Sequence, residues 1–420
     1  MSTTGPGSVG ATIRRLLVPV YLPWLAVGLG LGVLLPALPL YLRSESLSYT
    51  TVSVVLAAAG AGSALGSLPA GAIGQRIGDD GLMALAVATL AITTVLFGVA
   101  TSVVVLVVLR VAYGAGQVAL HQSRQTFITR TVPVVHRGRV MSWVGGTFRL
   151  ALLVGPVLGG LVVDRAGFAT AFVVAGGLTA LGLLGVERGT LRSVRRDVAE
   201  RSASVPLRAA LRRNRRRLVT VGVGPALIMA ARDGRHVVIP LIADSFDMSA
   251  SAVGAVVAVG TGADLVVVPV AGLLLDRFGR LCAIVPSFSL MAVGLLLIGL
   301  ADTTTGVVVG TIVTGVGNGM SAGTMLTYGS DLAPADDPGP FLAGLNVMTY
   351  TGRVVGPLLV GWFADAAGLG TSAVALSVVL AVGVAWIVVI VGETGGRAAE
   401  DDAGTAAPRP SPGPAGSNPG

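Results

Sequence analysis

GAIGQRIGD, residues 71–79, returns 201 residues later as GLLLDRFGR, residues 272–280. The same offset carries VGPVLGG at 154–160 onto VGPLLVG at 355–361. It also pairs Pro39 with Pro240, Gly114 with Gly315, Gly116 with Gly317, Asp164 with Asp365 and Gly167 with Gly368. Glycine and proline sit where backbone geometry tolerates few substitutes, so an offset that holds across them marks two halves of equal build. Almost no net insertion separates the halves.

Of 420 residues, 53% are hydrophobic and 12% charged, and the mean hydropathy is +0.82. A soluble fold must turn part of its surface to water, so this much apolar side chain points to lipid as the main solvent. All 29 basic residues are Arg. The single Cys282 excludes an internal disulfide and argues against a Cys/His metal site, and no cofactor is expected. A net charge of +8 raises nucleic acid as a partner, but the distribution of arginines accounts for it otherwise, and none is expected. Residues 1–12 are polar and the first apolar run is too long for a signal peptide, so no cleavable leader is expected.

Apolar stretches of about 20 residues, enough to cross about 30 Å of hydrocarbon as helix, recur at 16–42, 50–73, 81–100, 102–123, 140–163 and 168–186. The second half repeats them at 218–243, 250–275, 281–300, 306–329, 340–363 and 371–392. Apolar residues run continuously instead of alternating, which excludes strands. The expected fold is an all-α membrane protein of twelve transmembrane helices in two six-helix bundles, 16–186 and 218–392. A cytoplasmic segment at 1–15, a linker at 187–217 and a tail at 393–420 complete the chain. With the N-terminus placed in the cytoplasm, 22 arginines fall in cytoplasmic segments, two outside (Arg43, Arg165) and five within the membrane. This follows the positive-inside rule and predicts a multi-pass cell-membrane protein with both termini cytoplasmic. Asp331, Asp336 and Asp337 run against the trend, but acids weigh little in that rule. The linker carries eleven Arg against three acids. Contact with anionic lipid headgroups and simple retention of topology both account for it. The tail, rich in Pro, Gly, Ala and Ser, reads as disordered.

GLLLDRFGR resembles the G-x-x-x-D-R-x-G-R signature of the major facilitator superfamily. The resemblance implies a conformational latch at Gly272, Asp276, Arg277, Gly279 and Arg280. The first copy keeps Gly71, Arg76 and Gly78 but has Gln75 for the Asp and Asp79 for the last Arg. Arg110-Val-Ala-Tyr-Gly114-Ala-Gly116 in the fourth span resembles the family's R-x-x-x-G-x-G element. Gly146 followed by Gly155-Pro156-x-x-Gly159-Gly160 in the fifth resembles its antiporter motif, and LLPALPLYL at 34–42 resembles the first span of twelve-helix drug:proton antiporters. Small residues there allow tight helix packing, and Pro156 is expected to bend its helix. The resemblance implies a secondary-active carrier, a proton-coupled exporter of a small molecule by alternating access.

An ionisable group in hydrocarbon costs about 3 kcal/mol, so buried charges should face protein or water. Spans 3, 6, 9 and 12 contain none, which marks them as the lipid-facing scaffold. The seventh span is densest, with Arg232, Asp233, Arg235 and His236, and Gly234 and Pro240 are expected to open that helix. Asp264 lies near mid-span in the eighth. Arg110, Tyr113, Gln117 and His121 form a polar stripe in the fourth span, and Asn318 lies in a milder one in the tenth. The substrate path is therefore assigned to Arg110, Tyr113, Gln117, His121, Arg232, Asp233, Arg235, His236 and Asn318. Proton coupling is assigned to Asp233, Asp264 and His236, with permanent ion pairs as the competing role for the two acids. Arg149 and Arg353 are read as structural. Two acids against five arginines favour an anionic or zwitterionic substrate, or acids protonated in part of the cycle. Uptake of an organic anion is the alternative to export, and a non-transporting sensor the remote one. The first span lacks the acid that drug antiporters of this type often carry, which weakens the drug-export reading. No P-loop, H-E-x-x-H or G-x-S-x-G is present, which argues against ATP hydrolysis and embedded hydrolases. A monomer is expected.

Overall fold

The computed structural model describes residues 21–132, 134–185, 215–278, 280–333 and 338–392. The regular structure among them is helical. Helix α1 is Leu22–Ser44. The segment Tyr49–Phe97 turns at Gly78 into two arms, α2 (49–77) and α3 (79–97). Helix α4 is Val103–Thr131. Val134–Leu181 turns at Gly167 into α5 (134–166) and α6 (168–181), followed by a 3₁₀ turn at Gly182–Gly185. The second half runs α7 (Arg215–Ser245), α8 (Ala250–Phe278) and α9 (Arg280–Gly299). Helix α10 comes in two pieces, Thr304–Met320 and Thr324–Leu332. Helix α11 is Pro338–Ala367, and α12 is Leu369–Trp386 with a final π turn at Ile387–Val391. Each expected span has its helix. The turns at Gly78, Gly167 and Gly368 all have φ near +80 to +90° (83, 79 and 92°), which glycine adopts without the steric cost of a Cβ.

Within each half the helices approach backbone to backbone. A Cβ on Gly62 or Gly114 would overlap the carbonyls of Val111 and Ala59, which clamps α2 onto α4, and Gly315 meets Gly260 in the same way between α10 and α8. Gly155 lies against Gly32, joining α5 to α1, and Gly356 against Ala230, joining α11 to α7. Helices in lipid gain little from apolar burial against each other, so this close van der Waals packing carries their association. The spans without membrane charge, in α3, α6, α9 and α12, present apolar side chains on the outer surface. Ile92 and Leu96 on α3, Val173 on α6, Val293 and Leu297 on α9, and Val378 and Val382 on α12 are all exposed, as befits side chains whose solvent is lipid. Among the described residues eight helical segments are long and apolar enough to cross a membrane, one of them the joined Trp143–Gly185. Helices α7, α10 and α11 fall outside that set, α7 because of its charges and the first piece of α10 because of its 17 residues.

Two expectations are corrected. Helix α10 does not run unbroken through 306–329. Gly323 takes the left-handed conformation (φ 84°, ψ −18°). Ser321 and Thr324 turn their hydroxyls back onto the carbonyls of Asn318 and Ser321 (2.7 and 2.8 Å). Short polar side chains that offer the backbone such local bonds compete with the helical ladder. Helix α7, conversely, stays closed through Gly234 and Pro240. Gly234 is backed by the Leu376 side chain and the Gly356 carbonyl, so it serves close packing, not opening.

Candidate functional site

The chain leaves α6 and enters α7 at one end of the molecule, the linker end, and Ser44, Tyr49 and Asp164 mark the opposite, far end. Between the bundles at mid-depth lies a cavity of about 270 Å³. Helices α4, α7 and α11 give it a polar wall of Arg110, Tyr113, Gln117, Asp233, His236 and Arg353. Helices α1 and α5 give it an apolar wall that includes Leu31, Leu34, Leu38, Phe148 and Leu152. Leu56, Ala59 and Gly60 of α2 also line it. A second chamber of about 40 Å³ lies behind it between α7, α8 and α10, lined by Arg235, Asp264, Thr311 and Thr314. His236 lines both.

The two membrane acids are held differently. Asp233 pairs with Arg353 (3.3 Å, Nε to Oδ2), and both partners belong to the second bundle. Asp264 is buried, accepts a hydrogen bond from the Asn318 amide (2.9 Å), and faces Arg149 of the first bundle at 4.0 Å. Its Oδ1 has no hydrogen-bond partner among the described residues. Only the second pair bridges the bundles. Asn318, assigned to the substrate path, instead lies buried beside Asp264. Arg235 faces the small chamber, and Arg232 lines neither cavity. His121 sits beyond Gln117 toward the linker end, its ring nitrogens 3.1 Å from Arg124 and 3.0 Å from Gln125. The guanidinium can only donate, so Nδ1 accepts and a neutral ring carries its proton on Nε2, where the Gln125 amide turns its oxygen to accept it.

At the far end each bundle caps a helix of the other. The Asp164 carboxylate accepts the backbone N–H groups of Ala250 and Ser251 at the start of α8 (both 3.0 Å). Asp365 accepts those of Tyr49 and Thr50 at the start of α2 (3.0 and 2.8 Å). The next N–H of each helix goes to a serine of its own bundle, Ser249 for Ala252 and Ser48 for Thr51. The unsatisfied donors of a helix start are thus shared between bundles. The hydrogen bond from the Ser251 hydroxyl, with those from the backbone, holds Asp164 below the ordinary carboxylate range against a smaller push from burial. Burial pushes Asp365 up, but the Thr50 hydroxyl, the Thr50 and Tyr49 N–H groups and Arg43 together bring it below that range. Gly160 packs on the Ala250–Ser251 backbone, Gly254 on Pro156, and Gly361 on Ser53. The antiporter-type glycines are therefore contact points: Gly155 and Gly159 hold α1, and Gly160 holds the other bundle. Gly146, nearer the linker end, has nothing within 4 Å of its Cβ position.

At the linker end the departure at Asp79 acquires a reason. Asp79 pairs with Arg130 (2.8 Å), and the positions 201 residues on, Arg280 and Asp331, pair at the same distance with the signs reversed. Burial pushes the Asp79 carboxyl up and Arg130 pulls it down less strongly, so the net shift is upward. Gly71 has open space around it and Gly78 makes the turn. The side chains of Gly272, Asp276 and Arg277, and residue Gly279 altogether, lie outside the described residues, as does the linker before Arg215.

Sequence reasoning passed over Asp164 and Asp365 as functional residues. Their signal is a spacing within each half. Gly71…Gln75-Arg76-x-Gly78 recurs 89 residues on as Gly160…Asp164-Arg165-x-Gly167, and Gly272…Asp276-Arg277-x-Gly279 recurs 89 residues on as Gly361…Asp365-x-x-Gly368. Each half is thus itself a doubled three-helix unit. Arg124 was also missed. It stacks over Trp24 (3.8 Å to the ring centre), which in turn lies 4.8 Å from the Phe148 ring at the cavity wall.

Comparison with known proteins agrees with this architecture. The family model described as Major Facilitator Superfamily matches residues 25–232 and 224–414. The chain is 31% identical over 159 residues to the MFS-type transporter ppzB of Metarhizium rileyi, covering 36% of this chain and 32% of that protein. It is 33% identical over 81 residues to the aspyridones efflux protein of Neocamarosporium betae, covering 19% and 14%. The chain thus aligns with about a third or less of the length of these relatives. The crystal structure of the nucleoside transporter NupG superposes with a TM-score of 0.74 at 12% identity, over 89% of this chain and 99% of that one.

Proposed function

Because this chain belongs to the major facilitator superfamily, a family of multi-pass membrane transporters and not of enzymes, we propose that it exports a small organic compound in exchange for protons. The observation that carries this reading is the placement of the cavity. It lies between two pseudo-symmetric bundles whose close contacts run from the far end to mid-depth. The far-end caps and glycine contacts release together when the bundles rock, and water satisfies the freed N–H groups, so the cavity gains access to the opposite side at modest cost. Positive-inside asymmetry supports a cytoplasmic linker end in the cell membrane, with both termini there. Export is supported by the antiporter-type motif, whose Gly160 packs across the interface that must move, and by the efflux relative. In this reading the eleven arginines of 187–217 rest on anionic headgroups.

Asp264 is the coupling acid in this proposal. Rocking separates it from Arg149, which sits on the other bundle, whereas Asp233 and Arg353 travel together. A carboxylate that loses its partner in a small low-dielectric chamber is neutralised by a proton, and His236 connects that chamber to the central cavity. Other charges facing Asp264 come from α7, where Arg232 and Arg235 act on it electrostatically. Proteoliposomes with an imposed pH gradient test the reading. Substrate flux should collapse with a protonophore, and Asp264→Asn should retain substrate exchange while losing response to the gradient. Flux indifferent to the gradient in the parent protein refutes the coupling. Uptake of an organic anion is the second reading, supported by the cationic excess around the cavity. The direction of flux in cells separates the two.

A further inference from the structure

The two walls of the central cavity differ in kind. Leu31, Leu34 and Leu38 of α1 with Phe148 and Leu152 of α5 make one side apolar. On the other side Arg353 is satisfied by Asp233. Arg110 is not satisfied in that way. Among the described residues no carboxylate stands within ion-pairing distance of it. Its Nε is buried without a hydrogen-bond partner, its Nη2 reaches the Leu56 carbonyl at only 3.5 Å, and its guanidinium carbon lies 5.1 Å from the centre of the Tyr113 ring. A guanidinium at membrane depth without a counter-charge is costly. Its planar fork of donors is shaped for a carboxylate or a similar oxyanion. Cancelling Arg353 against Asp233 leaves the cavity one positive charge in excess.

We propose that the substrate is an amphipathic organic monoanion. Its oxyanion head sits on Arg110, with Tyr113 and Gln117 beside it, and its aliphatic or aromatic body lies against the α1–α5 wall. This rests on the transport reading above and names the class of compound carried. An ammonium group gains nothing here, because Asp233 is occupied by Arg353 and Arg110 repels it. A dianion exceeds the charge available. Outward movement of a monoanion and inward movement of a proton both carry positive charge inward, so a negative-inside potential assists export. Coupled uptake of the same anion with one proton is electroneutral.

The test is a thermal-shift titration of the purified full-length protein with three probes of one body and different heads: phenylacetate, phenethylammonium and phenethyl alcohol. A charge-assisted hydrogen bond that replaces none should lower the half-saturating concentration of phenylacetate about tenfold below that of the alcohol. Arg110→Gln should erase that advantage, bringing phenylacetate to the half-saturating concentration of the alcohol or above it. The head-group comparison in the parent protein stands without the variant, should Arg110→Gln not fold. Equal response to all three probes, preference for the ammonium, no response to phenylacetate, or an advantage that survives in Arg110→Gln each overturns the assignment. Phenylacetate preference without gradient-driven flux would leave the anion site standing and remove the proton exchange. Gradient-driven flux without head-group preference does the reverse.

Discussion

Replacing Asp164 and Asp365 together by Ala removes four hydrogen bonds that cross between the bundles, two from each carboxylate. Loss of an N-terminal helix cap costs about 0.5–2 kcal/mol. Both carboxylates are largely solvated and each helix keeps its own serine cap, so the lower half of the range applies, about 0.5–1 kcal/mol per site. The two sites act on separate helix pairs, and their effects should add to about 1–2 kcal/mol. That is roughly a 5- to 30-fold shift in the equilibrium between far-end closed and far-end open forms. Spin labels on Val99→Cys and Leu300→Cys, in a Cys282→Ser background, read the shift as a distance distribution. The two sites are symmetry-related, lie at the far end of opposite bundles, and are 75% and 65% exposed, so labels there disturb little packing. The double Ala variant should enrich the long distance, and each single variant should give about the square root of the double effect. Distributions that superimpose on the parent's would refute the idea that these carboxylates hold the far end shut.

The same labels test the pH response. Both carboxyls titrate below the ordinary value when capped, so their support is complete above about pH 4 and is lost as pH falls through the depressed values. Acid should therefore lengthen the distance in the parent and leave the double Ala variant unchanged. Arg130→Asp sets two acids face to face at the linker end and should cost about 0.5–1 kcal/mol in unfolding experiments. Adding Asp79→Arg should recover most of that loss, and failure to recover it would remove the pair's role. Gly160→Val forces a side chain into the Ala250–Ser251 backbone. It should abolish both the short-distance population and flux, while Gly71→Ala, with open space around it, should change neither.

The duplication and the twelve helices were legible because each depends on a cost the sequence must meet along its own length. Hydrocarbon thickness sets the spans, and the cost of burying Arg or Asp sets which helices face lipid. The convergence of Arg110, Tyr113, Gln117, Asp233 and His236 on one cavity followed from the same reasoning. What escaped depends on contacts between distant elements. Gly234 and Pro240 looked like a break because each weakens a helix in isolation, and only the packing of Leu376 and Gly356 shows why α7 continues. The reverse holds at Gly323, where local hydroxyl bonds ended a helix that hydropathy alone extended. Asp164 and Asp365 lie in the last helical turns of α5 and α11, where an acid is unremarkable until its partner N–H groups on the other bundle are seen.

The reversed signs of Asp79–Arg130 and Arg280–Asp331 bear on any attempt to rebuild this protein from one of its halves. Grafting the 272–280 turn into the first half would set an arginine against Arg130, and the reciprocal graft would set an aspartate against Asp331. A chimera therefore has to move both members of a pair. The lineage that made the two halves unlike must also have crossed, or sidestepped, a like-charged intermediate at this seam.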